Sequence, residues 1–203
     1  CSFYYYKVRV DAGGAPCVRG GMLSLAICKP MLRATVQDGD IVIGLAANNI
    51  HRGNGVIYIA RVTKCLHDGQ YYRDSRYEPR PDCIYRFRRG GWAQIRNSFH
   101  TLADIDRDLG RRREHTQVVI SRDFRYFGHK RFVVDWMLYP ELRKKVDRLL
   151  QGHRVRHSAA VQRELTALSK QLFASSRRKV VGKPTHAERG RCNREDKDPV
   201  GVC

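Results

Sequence analysis

Short apolar runs separated by turn signals dominate the first third of the chain. Runs rich in β-branched and aromatic residues cover residues 3–10, 22–30, 40–46 and 56–66. Such residues favour pleated, half-buried strands, and the runs are bounded by turn formers such as Asp38-Gly39. The pattern predicts a strand in each run, although the second run also fits a short helix and is stopped by Pro30.

The middle of the chain is less regular. Residues 67–91 are polar and aromatic and include two prolines and a Gly-Gly pair, which predicts mostly irregular structure. A capping-box pattern and a closing glycine predict a short helix over residues 101–110. Residues 116–128 predict a strand.

The last third has helical periodicity. A proline near its start and a glycine past its end delimit a predicted helix over residues 140–152. A second helix is predicted over residues 158–173, where one face carries an apolar stripe made of Val161, Leu165, Leu168 and Leu172. Residues 175–203 are mostly polar without any period, which predicts a disordered basic tail.

Strands followed by helices are typical of an α+β fold. We predict a small, mostly antiparallel sheet that closes into a β-barrel with flanking helices. A basic helical extension follows it at the C-terminal end.

Charge narrows the classes of partner. The chain has 39 Lys and Arg against 20 Asp and Glu, a net charge of +19. Such an excess attracts polyanions, and the dominance of Arg favours nucleic acid or a nucleotide as the partner. No apolar run reaches the roughly 18 residues of a membrane span. Seven widely spaced cysteines without a CxxC pair argue against a structural zinc site and favour reduced thiols in a cytoplasm.

The chain resembles two known families. "QDGDIVIG" (37–44) followed by "GVIYIARVTKC" (55–65) is similar to the outline of PUA-like and EVE-like β-barrels, which bind RNA or modified bases. More of the chain resembles the second nucleotide modification associated domain family. That resemblance rests on four segments that occur in the family's order, at residues 4–44, 56–77, 98–100 and 119–128.

The family resemblance covers roughly residues 3–140. It implies a domain of bacteria and their viruses that accompanies DNA base-modification enzymes, with a role in base modification or in recognising modified DNA. We therefore predict a domain over residues 1–140, a helical extension over 141–174 and a tail over 175–203.

Interleaved aromatic, basic and acidic residues are candidates for binding a base and its phosphates. Rings stack on bases beside guanidinium groups, basic groups hold phosphates, and a carboxylate accepts from a base amino group. The predicted base- or nucleotide-binding residues are Asp11, Lys29, Arg33, Tyr71, Arg76, Arg122, Asp123, Phe124 and Tyr126. The same residues also fit solvated faces and core contacts, and the sequence leaves both readings open.

Catalytic candidates are few. Cys28 is followed by Lys29, whose charge favours a thiolate, and His100 is a candidate general base because histidine as a residue type titrates near neutral pH. A buried apolar cysteine and a surface histidine are the alternatives. The acidic run at residues 104–108 predicts a solvated helix face, and neither a metal site nor a cofactor is expected.

These features predict a binding module for nucleic acid or a modified nucleotide, with DNA favoured, in a cytoplasmic base-modification or defence system. One alternative is a nucleotide- or base-modifying enzyme that uses Cys28, Lys29 and His100. A second is a structural protein that docks a partner through the helix at 158–173. The sequence leaves open the type of nucleic acid, the base, the oligomeric state and whether any reaction is catalysed.

Overall fold

The computed structural model describes residues 1–88, 90–96 and 98–187. The chain divides into two compact units that are interleaved in the sequence. The first unit comprises residues 1–9, 38–63 and 122–185. The second unit comprises residues 10–37 and 64–121, together with residues 186–187 at the end of the described chain.

Short strands and helices alternate along the described chain. The strands are β1 (Phe3–Val8), β2 (Cys17–Arg19), β3 (Met22–Leu25), β4 (Ile41–Ala46), β5 (Val56–Arg61), β6 (Lys64–Leu66), β7 (Tyr85–Arg88), β8 (Gly91–Gln94), β9 (Val118–Ser121), β10 (Asp123–Tyr126) and β11 (His153–Arg154). The α-helices are α1 (Pro30–Arg33), α2 (Gln70–Arg73), α3 (Ile105–Leu109), α4 (Pro140–Asp147) and α5 (Ala159–Ala174). The predicted α+β class is confirmed.

Each apolar run of the first third contains a strand, as predicted. The run at 22–30 holds both a strand and the start of a helix, because Pro30 is the first residue of α1 rather than a stop. The first helical position tolerates proline, since its missing N–H has no partner within the helix there. The segment at 67–91 is more regular than predicted, and Gly90 lies between β7 and β8 while Gly91 begins β8 and pairs with Arg88.

The first unit is built on one mixed sheet with the strand order β10-β5-β4-β1-β11. β1 and β4 are parallel and the other neighbours are antiparallel. The central strands β4 and β5 are buried along almost their whole length, which explains their continuous apolar sequences. Helices α4 and α5 pack their apolar residues into the same core as β1, β4 and β5.

The apolar stripe of α5 is therefore internal. Leu165, Leu168 and Leu172 are each at most 1% exposed and lie in the core of the first unit. Ser158 caps the helix by accepting a hydrogen bond from the Val161 amide. The helices that the sequence indicated as an extension complete this unit, and the partner-docking alternative loses the stripe on which it depended.

The chain beyond α5 follows the edge of β10. The Tyr126 amide donates to the Lys179 carbonyl at 2.8 Å, and the Val181 amide donates to the Tyr126 carbonyl at 2.8 Å. The His129 amide donates to the Lys183 carbonyl at 2.9 Å. Residues 175–187 of the predicted tail thus have a defined path, and residues 188–203 lie outside the described part of the chain.

The second unit holds a four-stranded antiparallel sheet with the order β2-β3-β9-β6 and the separate hairpin β7-β8. Helices α1, α2 and α3 accompany them, and residues of the sheet, the hairpin, α2 and α3 share one core. The predicted closed barrel is wrong for the described residues. Strands are divided between the sheets of two units, and each sheet keeps two distinct edge strands.

Two further expectations concern membranes and thiols. In the described ranges, no helix has the length and apolarity needed to cross a bilayer. Five cysteines of these ranges are free thiols, namely Cys1, Cys17, Cys28, Cys65 and Cys83.

Leu168→Ala is expected to lower the free energy of unfolding by about 2–5 kcal/mol, because it opens a cavity in the core of the first unit. Leu150→Ala is the matched control, since Leu150 is 81% exposed and its truncation should change stability by less than about 0.5 kcal/mol. Urea denaturation followed by circular dichroism measures both. Equal stability of the two variants would contradict the internal position of the stripe.

Candidate active site

Three side chains of the second unit form a buried cluster. Cys28 Sγ lies 3.7 Å from His100 Nε2, and His100 Nδ1 lies 2.6 Å from Asp108 Oδ2. Cys28 is 6% exposed, His100 is 3% exposed and Asp108 is fully buried. The Cys28 thiol, the His100 imidazole and the Asp108 carboxylate thus contact one another in series, and we call these three side chains the triad.

Cys28 occupies a sharp turn between β3 and α1. Both Cys28 and Lys29 have left-handed backbone angles, with φ values of 60° and 50°. This conformation is uncommon for residues other than glycine, and such strain concentrates at functional sites. Asp108 holds the turn in place, since its Oδ1 accepts a hydrogen bond from the Cys28 amide at 3.1 Å.

The glycine-rich loop at residues 11–16 helps to position His100. Phe99, the residue before it, has a φ of 60° and packs its ring against Gly14. A Cβ atom at Gly14 would lie only 2.7 Å from Phe99 Cγ, so that position has no room for a side chain. Gln94 on β8 fixes the other side by donating to the His100 carbonyl at 2.9 Å.

Asp108, on α3, has both carboxylate oxygens engaged. Its Oδ2 accepts from the Tyr85 hydroxyl at 2.8 Å as well as from His100 Nδ1. Burial, and then the nearby Asp108 carboxylate, raise the pKa of Tyr85 well above its usual value, so the phenol keeps its proton and donates. Because Asp108 is an acceptor, Nδ1 of His100 carries the ring proton and Nε2 presents a lone pair to the thiol.

The Arg33 side chain stabilises the cluster by binding main-chain carbonyls around it. Its guanidinium donates to the carbonyls of Ala26 at 2.6 Å and Gln117 at 3.0 Å, and also to the Asp108 carbonyl. Tyr72 donates to the Ala26 carbonyl as well. The predicted phosphate-binding role of Arg33 does not fit this position, because the side chain is 1% exposed and both of its terminal nitrogens donate to carbonyls.

The arrangement matches the requirements of nucleophilic catalysis. The imidazole can accept the thiol proton, while the carboxylate fixes the orientation and tautomer of the ring. The distance of 3.7 Å between Sγ and Nε2 is longer than a tight hydrogen bond. Such contacts are often loose without a substrate and shorten when one is bound.

The same three residues carry donor atoms that could hold a metal ion. Their donor atoms lie within 4.8 Å of one another, and a thiolate, an imidazole and a carboxylate suit Zn²⁺. The hydrogen bonds oppose this use, since Asp108 faces Nδ1 while the thiol faces Nε2 on the other side of the ring. One ion at Nε2 would require the carboxylate to leave His100, Tyr85 and the Cys28 amide.

Four other predicted residues of the second unit lie in different environments. Asp11 is 1% exposed, and its amide donates to His186 Nδ1 at 3.1 Å. Tyr71 is buried and donates to Asp82 at 2.7 Å, whereas Arg76 is exposed and paired with Asp74. Lys29 is half-buried beside Cys28 in the strained turn.

The remaining predicted residues belong to the first unit, on or next to β10. Phe124 and Tyr126 are 0% and 2% exposed, so both rings are core residues and cannot stack on a base. Asp123 forms a half-exposed ion pair with Arg61 at 3.2 Å. Arg122 is exposed, and its carbonyl accepts a hydrogen bond from Lys179. Alternation along the strand thus places the aromatic residues inward and the charges outward.

Sequence reasoning identified two members of the cluster, Cys28 and His100, and missed Asp108 and Tyr85. A signal for Asp108 was present. It follows Ile105 by three residues on the predicted helix, so the two side chains share a face, and an apolar residue on that face indicates burial. Tyr85 had no such signal, because its strand lay in a segment predicted to be irregular.

Arg33→Lys is expected to lower the free energy of unfolding by about 3 kcal/mol. Lysine lacks the planar fork that reaches three carbonyls, and hydrogen bonds to a charged group contribute about 1.5–3 kcal/mol each. Arg107→Lys, in an ion pair on the surface of α3, should stay within about 0.5 kcal/mol of the wild type. Urea titration compares the two, and equal effects would show that Arg33 lacks its buried contacts.

Comparison with known proteins adds one match. A family model described as nucleotide modification associated domain 2 matches residues 1–191. No curated protein and no solved structure matches the chain. The family match extends beyond residue 140 and includes the helices α4 and α5, which pack into the first unit. Since the model covers most of the 203 residues, the chain belongs to the nucleotide modification associated domain 2 family.

Proposed function

We propose that this protein is a thiol-dependent enzyme of a nucleotide-modification system, with Cys28 as its nucleophile. The line formed by Cys28, His100 and Asp108 is the observation that carries the proposal. The family to which the chain belongs supports a role in nucleotide modification. The net charge of +19 favours a polyanion such as nucleic acid, and the predicted DNA-modification setting favours DNA.

The reaction class that suits this arrangement is acyl transfer or hydrolysis. Nε2 of His100 takes the thiol proton, and Cys28 Sγ forms a bond to the carbonyl carbon of the substrate. The bond from that carbon to the leaving amine or alcohol then breaks, and His100 returns the proton to the leaving group. Water hydrolyses the thioester, with His100 taking a proton from the water and returning it to the sulfur. Asp108 keeps the imidazole oriented throughout.

The binding-module hypothesis has less support than the enzyme. Three of the rings proposed to stack on a base, those of Tyr71, Phe124 and Tyr126, are buried. A reduced thiol at Cys28 is needed for the chemistry, which fits a cytoplasmic location. No step requires a cofactor.

Alkylation of Cys28 by iodoacetamide tests the proposal without a known substrate. The wild type should react at Cys28, and His100→Asn should slow this reaction on the order of 100-fold, because the base is lost. Asparagine can still donate to Asp108, so the variant preserves that hydrogen bond. Peptide mapping by mass spectrometry reports the rate at each cysteine separately.

Internal controls accompany the measurement. Burial raises the pKa of Cys83 to about 12 and also raises the pKa of Cys17, so both should stay unmodified in the folded protein. His67→Asn changes an exposed histidine and should leave the rate at Cys28 within about twofold of wild type. A Cys28 rate that does not depend on His100 would refute the proposed base. Faster alkylation after treatment with a zinc chelator would favour a metal centre instead.

A further inference from the structure

One side-chain face of the hairpin β7-β8 contacts residues of the triad at one end. Tyr85 pairs with Gln94 and Phe87 pairs with Trp92 in its antiparallel register. Side chains two residues apart on a strand share a face, as do those of directly paired residues. Tyr85, Gln94, Phe87 and Trp92 therefore line one face of the hairpin.

The inner end of this face contacts the triad directly. Tyr85 donates to the Asp108 carboxylate at 2.8 Å, and Gln94 donates to the His100 carbonyl at 2.9 Å. The next pair along the hairpin, Phe87 and Trp92, is about 7 Å further out, the length of two strand residues.

The outer end of the face carries two partly exposed rings and a cation. The rings of Phe87 and Trp92 meet edge to face with their centroids 5.3 Å apart. The exposed Arg73 places its guanidinium 4.1 Å from the centroid of the Phe87 ring. Tyr72 supports Trp92 from the core, with centroids 5.5 Å apart.

Charge complementarity identifies the occupant. The two strands of the hairpin carry Arg86 and Arg88 and no acidic residue. Strand alternation places Arg86 and Arg88 on the opposite face from Phe87, where Arg86 is paired with Glu78 at 3.4 Å and Arg88 is exposed near the turn. On the face of the rings, Phe87 and Trp92 favour a flat π-system, and the exposed guanidinium of Arg73 favours a phosphate. A nucleobase with an attached phosphate has both.

We propose that Phe87, Trp92 and Arg73 form a platform that stacks the base of a nucleotide and presents its neighbouring atoms to Cys28. The inference rests on the proposed function for the reaction and names the substrate class that the site takes. The shared chemistry is a base with a phosphate, whether it belongs to a free nucleotide or to a flipped or single-stranded unit of DNA.

Fluorescence of Trp92 provides a direct test of stacking. Trp92 and Trp136 are the two tryptophans of the chain, so Trp136→Phe leaves Trp92 as the single reporter. Titration with the oligonucleotide dT10 at about 50 mM NaCl should quench this fluorescence saturably. A parallel titration with dTMP distinguishes a free nucleotide from a strand as the source, and quenching by either probe supports the platform. The absence of quenching by both probes would overturn it.

Matched substitutions separate stacking from general charge attraction. Phe87→Ala and Arg73→Ala should each weaken binding of fluorescein-labelled dT10 about tenfold, as measured by anisotropy. Arg143→Ala is the control, because Arg143 also stacks on a ring, 5.3 Å from the centroid of Trp136, but belongs to the first unit. It removes the same charge and should change affinity less than about threefold. Equal losses for Arg73→Ala and Arg143→Ala would overturn the platform.

Alkylation of Cys28 tells the two proposals apart. Arg73→Ala should retain the wild-type rate at Cys28, since it leaves the triad intact. Saturating dT10 or dTMP should slow alkylation of the wild type by at least about fivefold, because the bound nucleotide covers the thiol. Binding that leaves this rate unchanged would overturn the platform as the substrate site. Quenching and protection together with a Cys28 rate that ignores His100 would support the platform and refute only the proposed chemistry.

Discussion

The Asp108 carboxylate joins three segments of the second unit that lie 80, 23 and 8 positions away from it in the sequence. It accepts hydrogen bonds from the Cys28 amide, the Tyr85 hydroxyl and Nδ1 of His100. A buried carboxylate is costly unless donors surround it, and these three donors compensate for its removal from water. Loss of this one group would release the strained turn at Cys28 and the orientation of His100 together.

Arg33 also stabilises the turn that carries Cys28. Its guanidinium binds the carbonyls of Ala26, Gln117 and Asp108, and so ties the end of β3, the start of β9 and the end of α3 to α1. The turn that carries Cys28 lies between Ala26 and Pro30. Arg33 belongs to α1, which begins at Pro30, and binds the Ala26 carbonyl, so it fixes both ends of the turn. Rigid support of this kind is what a nucleophile needs in order to stay within reach of its base.

Local patterns in the sequence predicted much of the fold. Runs of apolar β-formers marked β1, β3, β4 and β5, and the 3.6-residue period marked α5 with its inward stripe. The interleaving of two units was beyond this reasoning. It depends on contacts between residues separated by more than 100 positions, such as Tyr5 on β1 with Arg154 on β11. The predicted barrel failed for the same reason, since periodicity specifies strands but not how they pair.

For the candidate site, the composition of a stretch suggested the wrong residues, because the strand geometry determines which side chains are exposed. The stretch at 121–132 has the rings and charges of a base-binding surface, yet strand alternation turns Phe124 and Tyr126 into the core. Cys28 and His100 were predicted only by residue type, because the 72 positions between them hide their contact. Asp108 was indicated by its helical spacing from Ile105, and that signal was outweighed by the expectation that an acidic helix is solvated.

In the second unit, attraction of polyanions and recognition of a base would be carried by different groups, which explains why a strongly basic chain would keep a buried triad. General positive charge attracts polyanions without selecting any of them. The proposed platform of two rings and one guanidinium would recognise the shape of a base, and its strands continue into Tyr85 and Gln94, which contact Asp108 and the His100 carbonyl. Recognition and chemistry would then share one rigid hairpin. Burial of the thiol fits this proposal, since Cys28 is 6% exposed and a nucleophile at that position would be shielded from bulk solvent until a substrate lies beside it.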